Sequence, residues 1–419
     1  MTLAETPPRR SFLARALRDA DWLTADRARA YALIWLVMSI GIAAVWVALS
    51  HGGLDRLGKP LGTDFASFWT ASQLAMSSHP ALAYDPVAHH AAQTRLFGKD
   101  VGDYAFFYPP MFLWLCLPLA SMPYLASLAV WLGATGLAYA QVVRAWLGRA
   151  AGWLPILAFP AVLTNVGHGQ NGFLSAALFG GGLLLLDRRP FLAGVVLGCL
   201  VYKPHLGVLI PVALLAAWRW RAIAGAAFSV ILLAGQSLLV FGAVTWRAFL
   251  AVSPLARAAL EQGLVGNEKM QSLFAAVRLL HGSLPLAYGA QALVALGAAG
   301  ALIALQRRAF RGPAEGPALV AAALLASPFL LDYDLILLAI PLAWVLRQGL
   351  ATGFRPWEKI ILAAGFILPA VSRSLAALIH LPTGPFVIGA VLWIVLRRGW
   401  DLKVASEPAA TPPALAIQG

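Results

Sequence analysis

An all-α polytopic membrane protein with about twelve transmembrane helices is predicted by three observations. Of 419 residues, 60% are hydrophobic and 12% charged, with a mean hydropathy of +0.76. The apolar residues form runs almost free of charge, and 31–49, 222–241 and 286–305 approach the roughly 20 residues that cover about 30 Å of hydrocarbon. Arginine and lysine occur in short clusters between those runs. Topology explains such clusters better than a nucleic-acid face does, despite a net charge of +13.

Residues 1–30 carry Arg9, Arg10, Arg15, Arg18, Arg27 and Arg29, too long and basic a stretch for an ordinary secretory signal. They read as a cytoplasmic arm, with 31–49 an uncleaved anchor. Phe12, Leu13, Ala16 and Leu17 fit either the apolar stripe of a helix lying on the anionic inner leaflet or part of a disordered arm. The first span then exits, and about 50–122 forms an outer loop with juxtamembrane helical stretches from Phe65 through Met76 and from Pro86 to Phe97. Parity allows one crossing between Asp103 and the inside marker Arg144, and 124–143 takes it. The run 106–119, broken by Pro109, Pro110 and Pro118, becomes an interfacial or re-entrant helix.

Further inside markers are Arg149, Arg188 with Arg189, Arg219 with Arg221, Arg307 with Arg308 and Arg311, Arg347 with Arg355, and Arg397 with Arg398. Consecutive clusters require an even number of crossings between them. Crossings at 152–165 and 172–186 place 167–171 outside, and those at 191–202 and 206–218 place 203–205 outside. The same counting makes about 244–285 a long outer loop and puts 327–334 and 380–385 outside. One transmembrane domain, 31–403, is expected, with both termini cytoplasmic and an Ala/Pro-rich disordered tail at 404–419. Cys116 and Cys199 lie in apolar sequence and read as packing residues, without disulfide or zinc spacing.

The polar residues that remain fall at span ends predicted to share one membrane face. Asp64, at the edge of low dielectric, is suited to accept a proton from a hydroxyl; Asp is also a preferred N-cap, here for a helix beginning at Phe65, and the two roles are compatible. Asp85 before Pro86 reads as a helix start. His89 and His90 have the residue types of a metal site, but neighbours on a helix point about 100° apart, so no metal site is assigned. Phe106 and Phe107 suit an interfacial anchor, and Tyr108 adds a hydroxyl for substrate.

His168, Gln170 and Asn171 close the polar segment 165–171 between apolar helices, where they either bond between helices or form a pocket that also meets substrate. Lys203 and His205 interrupt an outer hairpin. A lysine there suggests an anionic partner, a phosphate or Asp64 itself, with snorkelling as the alternative. Asp332, Tyr333 and Asp334 follow Ser327 and Pro328; the acids fit a metal, a sugar hydroxyl or the cap of the next span. The long outer loop adds Arg257, Glu261, Asn267, Glu268 and Lys269, polar enough for an acceptor. No Walker loop, dinucleotide fingerprint, HExxH or nucleophile elbow is present.

In order along the chain, the first-loop Asp-Phe, Tyr-Pro-Pro, Gly-Gln-Asn, Lys-Pro, and Ser-Pro followed by Tyr-Asp-Leu resemble glycosyltransferase family 87. The resemblance implies a C-type integral-membrane glycosyltransferase architecture. It also implies a polyprenyl-phosphate sugar donor, a hexose with mannose favoured, and inverting transfer without a covalent enzyme intermediate. Asp64 matches the catalytic base. Lys203 and His205 become candidates for the donor phosphate, and Tyr108, His168, Gln170, Asn171, Asp332, Tyr333 and Asp334 for substrate contact. The paired histidines that some mannosyltransferase members carry after Ser-Pro are replaced by Asp332, Tyr333 and Asp334. Phosphate is a good leaving group, so no cofactor is called for, although a divalent metal is compatible. The resemblance places the protein in the inner (plasma) membrane, with its site on the periplasmic or extracellular side and a glycolipid or glycan acceptor. A transporter or lipid flippase is the main alternative, and it predicts polar groups near the midplane and internal repeats. A structural envelope-assembly subunit would tolerate Asp64→Asn.

Overall fold

A computed structural model describes residues 12–309 and 312–404. It is all-helical, 76% helix without strands. Arg9, Arg10, Arg311 and most of the expected tail lie outside the described residues. In a bilayer, backbone N–H and C=O groups need partners within the segment, and the Leu/Ala/Val-rich runs satisfy them as helices.

Among the described residues, six helices are long and apolar enough to cross a membrane: Ala25–Ala48, Tyr124–Leu147, Trp220–Glu261, Leu284–Gln306, Asp332–Thr352 and Glu358–Ile379. Shorter apolar helices cover Pro110–Ser121, Gly172–Leu185, Pro190–Tyr202, Pro204–Ala216 and Glu315–Ala326. At 1.5 Å per residue, even the 14 residues of Gly172–Leu185 span only about 21 Å, short of the hydrocarbon core. Among the described residues, six full-length and five shorter apolar helices therefore stand against about twelve expected crossings. Proline marks the short ones, because Pro160, Pro190 and Pro204 each occupy a first-turn position and start a new, shorter helix.

Two other segments differ from their sequence reading. Much of the expected outer loop at 244–285 is helix, because Trp220–Glu261 runs on through a kink at Gly242 (φ 74°). Residues 106–119 contain the α-helix Pro110–Cys116 and part of the 3₁₀ turn Leu117–Ser121. Phe112 packs edge-on to Phe68 at 5.1 Å and stacks on Tyr202 at 4.9 Å, so this short helix joins the first-loop helix Phe65–Met76 to the bundle.

The helices differ sharply in burial. All twelve residues of Glu315–Ala326 are buried, whereas Ala25–Ala48 buries only Ala32. Pro190–Gly198 lies so close to Trp220–Glu261 that a Cβ on Gly194 would collide with the Ala222 carbonyl, the small-residue contact that membrane helices favour. Two of the inside markers also carry structure. Arg219 is buried against both carboxylate oxygens of Glu315 (3.1 and 2.6 Å) and bonds Asp187, while Arg398 forks onto Glu358 at 2.7 and 2.5 Å.

Candidate active site

Asp64 stands at the N-cap of Phe65–Met76, yet its side chain makes no cap hydrogen bond. Asp85 does cap, accepting from Ala88 N at 2.8 Å. The Asp64 carboxylate turns across the bundle instead, where it accepts from Gln170 Nε2 at 3.1 Å and lies 3.8 Å from His168 Nδ1. Its backbone N–H donates to the His168 carbonyl at 3.0 Å, so main chain and side chain register the first loop on the same turn. Close approach there requires glycine on both sides. Gly62 and Gly169 are in the left-handed region (φ 70° and 61°), and a Cβ on Gly169 would come within 2.6 Å of Phe65 Cβ and 3.2 Å of Gly62 Cα.

Side chains brace that turn. Trp131 Nε1 donates to the Gly169 carbonyl at 3.1 Å, and Tyr124 OH donates to the Leu61 carbonyl at 2.6 Å. Gln170 Oε1 accepts from Tyr108 OH at 3.2 Å and from Asn171 N at 2.7 Å, which aims its amide nitrogen at Asp64. Thr63 Oγ1 lies 3.1 Å from His168 Nδ1.

Burial acts to raise the Asp64 pKa. The His168 ring and the Gln170 amide outweigh it, with a smaller contribution from the Lys269 charge, and hold the carboxyl below its ordinary 3.8. Burial depresses His168, but Asp64 and Asp332 more than compensate and its pKa lies above 6.5. Both members of the pair are therefore charged between these values. With 29% of its side chain exposed, Asp64 remains reachable.

Lys203 lies deeper and is fully engaged. Its ammonium donates to Asp334 Oδ1 at 2.6 Å and Asn171 Oδ1 at 2.9 Å, and sits 5.0 Å over the Tyr333 ring. Lys203 and Asp334 side chains are 5% and 0% exposed. His205 Nδ1 lies 2.7 Å from Ser327 Oγ, and burial together with the neighbouring Lys203 charge favours the neutral ring. Tyr333 meets the His168 ring edge-on at 5.7 Å, and Asp332 Oδ1 accepts from Tyr333 N at 2.8 Å. Two amide atoms, Asn165 Oδ1 and Asn171 Nδ2, are buried without a hydrogen-bond partner.

Two cations at the rim have no counterpart among the sequence candidates for a phosphate. Arg373, with 46% of its side chain exposed, approaches Asp332 Oδ2 only to 3.8 Å. Lys269 is brought to the same edge by a short pairing of 269–271 with 330–332, in which Asp332 N donates to Lys269 O at 3.0 Å and Gln271 N to Leu330 O at 2.7 Å. Its ammonium makes no ion pair among the described residues. Arg373 has no signal in local sequence, since it lies within the Glu358–Ile379 helix. Lys269 stood out only as one polar residue of the outer segment. Away from the site, His89 is buried and His90 pairs with Asp103. Among the described residues no three His, Cys, Asp or Glu side chains are grouped to hold a metal.

The structure thus gathers Asp64, Tyr108, His168, Gln170, Asn171, Lys203, His205, Asp332, Tyr333 and Asp334 into one linked cluster. Neither a curated protein nor a solved structure matches the chain significantly. A family profile does: Glycosyltransferase family 87 matches residues 106–328, just over half the chain and the segment that contributes Tyr108, the 165–171 turn, Lys203 and Ser327. With helices built for a membrane and a polar cluster at their ends, the chain belongs to glycosyltransferase family 87.

Proposed function

We propose that the protein moves a hexose, mannose favoured, from a polyprenyl-phosphate donor to an envelope glycolipid or polysaccharide. Transfer takes place at the outer face of the plasma membrane by a single inverting displacement with Asp64 as general base. The carrying observation is that Asp64 occupies a cap position without capping, its carboxylate held instead by Gln170 and His168 at a reachable edge. In this proposal the long and short helices together make about twelve crossings of C-type architecture, with both termini cytoplasmic.

The acceptor hydroxyl attacks the anomeric carbon and its proton passes to Asp64. The bond from that carbon to the phosphate oxygen breaks with its electron pair, and polyprenyl phosphate departs. A positioned base contributes about 10² to 10⁴ in rate. His168 keeps the carboxylate ionised, and Gln170 fixes which oxygen faces outward. Lys203 spends its charge on Asp334 and His205 is neutral, so the phosphate role passes to Arg373 and Lys269, the cations left open at the rim. Tyr108, Asn171, Asp332 and Tyr333 line the sugar side. A transporter would place its polar groups at mid-span. Here Asp64, Gln170 and Lys203 lie at helix ends.

The test is release of polyprenyl phosphate by purified wild type and Asp64→Asn in vesicles, from a panel of polyprenyl-phosphate sugars with envelope lipid extract as acceptor. Release by wild type and its loss in the variant supports the transferase and its base. Equal release removes Asp64 from the chemistry, and no release with any donor rejects the donor class.

A further inference from the structure

A second site lies away from the catalytic cluster. A cavity of about 1090 Å³ separates the first half of the Ala25–Ala48 helix from the helices behind it. Its walls are apolar, formed by Ala28, Ala32 and Trp35 on one side and Phe159, Ala343 and Phe366 on the other. Asp21, Arg29 and Lys359 supply its charge, at the feet of the Ala25–Ala48 and Glu358–Ile379 helices.

The foot of the cleft is tied by the chain itself. Trp357 N donates to the Arg18 carbonyl at 2.6 Å, and Lys359 Nζ reaches the Ala20 carbonyl and Asp21 Oδ1, each at 3.4 Å. These contacts pin the foot of the first span to the start of another helix. The cleft is about half open to the surroundings of the bundle, and its apolar walls favour an apolar occupant over water.

The charged residues at one end identify the filler. At the charged end, Arg29 approaches Asp26 only to 3.9 Å and Lys359 holds Asp21 only at 3.4 Å, so both cations remain open to a phosphate. We propose that the cavity is a binding site for one membrane glycerophospholipid of the leaflet facing the arginine-rich arm. Its phosphate lies between Arg29 and Lys359, and its acyl chains fill the space against Phe159 and Phe366. The inference stands apart from the transferase reading and needs only that the helices span a membrane.

Native mass spectrometry of the full chain, extracted in mild detergent, tests it. Wild type should retain one glycerophospholipid. Arg29→Gln with Lys359→Gln should lower its affinity by about fivefold for each cation removed. Ala363→Trp should exclude the lipid by filling the cavity, and each variant should elute from a sizing column as wild type does. Should Ala363→Trp fail to fold, the charge variant decides. The inference is overturned if wild type retains no lipid, if the retained mass is a polyprenyl phosphate, or if occupancy is unchanged in the folded variants.

Discussion

Two ion pairs of the polar cluster share a neighbourhood and differ in nearly everything else. Lys203 and Asp334 are sealed from water at 2.6 Å, with Asn171 and the Tyr333 ring completing the ammonium's surroundings. Asp64 and His168 stand 3.8 Å apart, each about a quarter exposed. Removing one partner of a sealed pair strands a charge, whereas a half-open pair leaves a carboxylate that solvent or substrate can reach. The deep pair holds helix ends together and the shallow pair stays open to solvent. Burial, rather than residue type, separates the two.

The sharpest way to break this comparison is Asp64→Asn. We expect transfer to fall by about 10² to 10⁴ while the unfolding midpoint stays near that of wild type. Lys203→Met should do the opposite, costing about 3–5 kcal/mol of stability by denaturant titration. Lys203→Met with Asp334→Leu should recover most of that loss, because no charge is then left alone. A loss below about 1 kcal/mol in the single variant would mean that water reaches the pair.

Arg373→Gln should raise the donor KM about tenfold with little change in stability, the worth of one charge-assisted contact. An unchanged KM would return the phosphate to the deeper cations. The smallest effect is expected from His168→Gln, read in the pH profile. Asp64 lies below 3.8, so its share of the pair's stabilisation is present above that value and is lost as pH falls through the folded pKa. His168 lies above 6.5, so its share is complete below 6.5 and is lost as pH rises through its folded value. Without the ring, burial again raises Asp64, and the acid limb of the activity profile should move to higher pH. A limb that stays in place would assign the profile to another group.

Much of this was legible in sequence for one reason: charge interrupts most apolar runs near a helix end. Asp64, the 165–171 turn, Lys203 and Asp332–Asp334 were visible as such interruptions, and their expected meeting is what the contacts provide. Helix extent was legible too, since the short runs 172–186, 191–202 and 206–218 stand as Gly172–Leu185, Pro190–Tyr202 and Pro204–Ala216, whereas 152–165 hid the restart at Pro160. Partner choice was hidden too. Lys203 finds Asp334 across 131 residues, and nothing local distinguishes that carboxylate from Asp332. The inside markers Arg219 and Arg398 gave the right sign of charge but not their buried partners, Glu315 and Glu358.

The docking of Asp64 onto the 165–171 turn has a consequence for synthesis. The first loop is translated early, yet its partner Gln170 follows 106 residues later. At about 5–20 residues per second, the nascent chain carries an unpartnered Asp64 for on the order of ten seconds. A ribosome that stalls before that turn leaves the first loop without its partners.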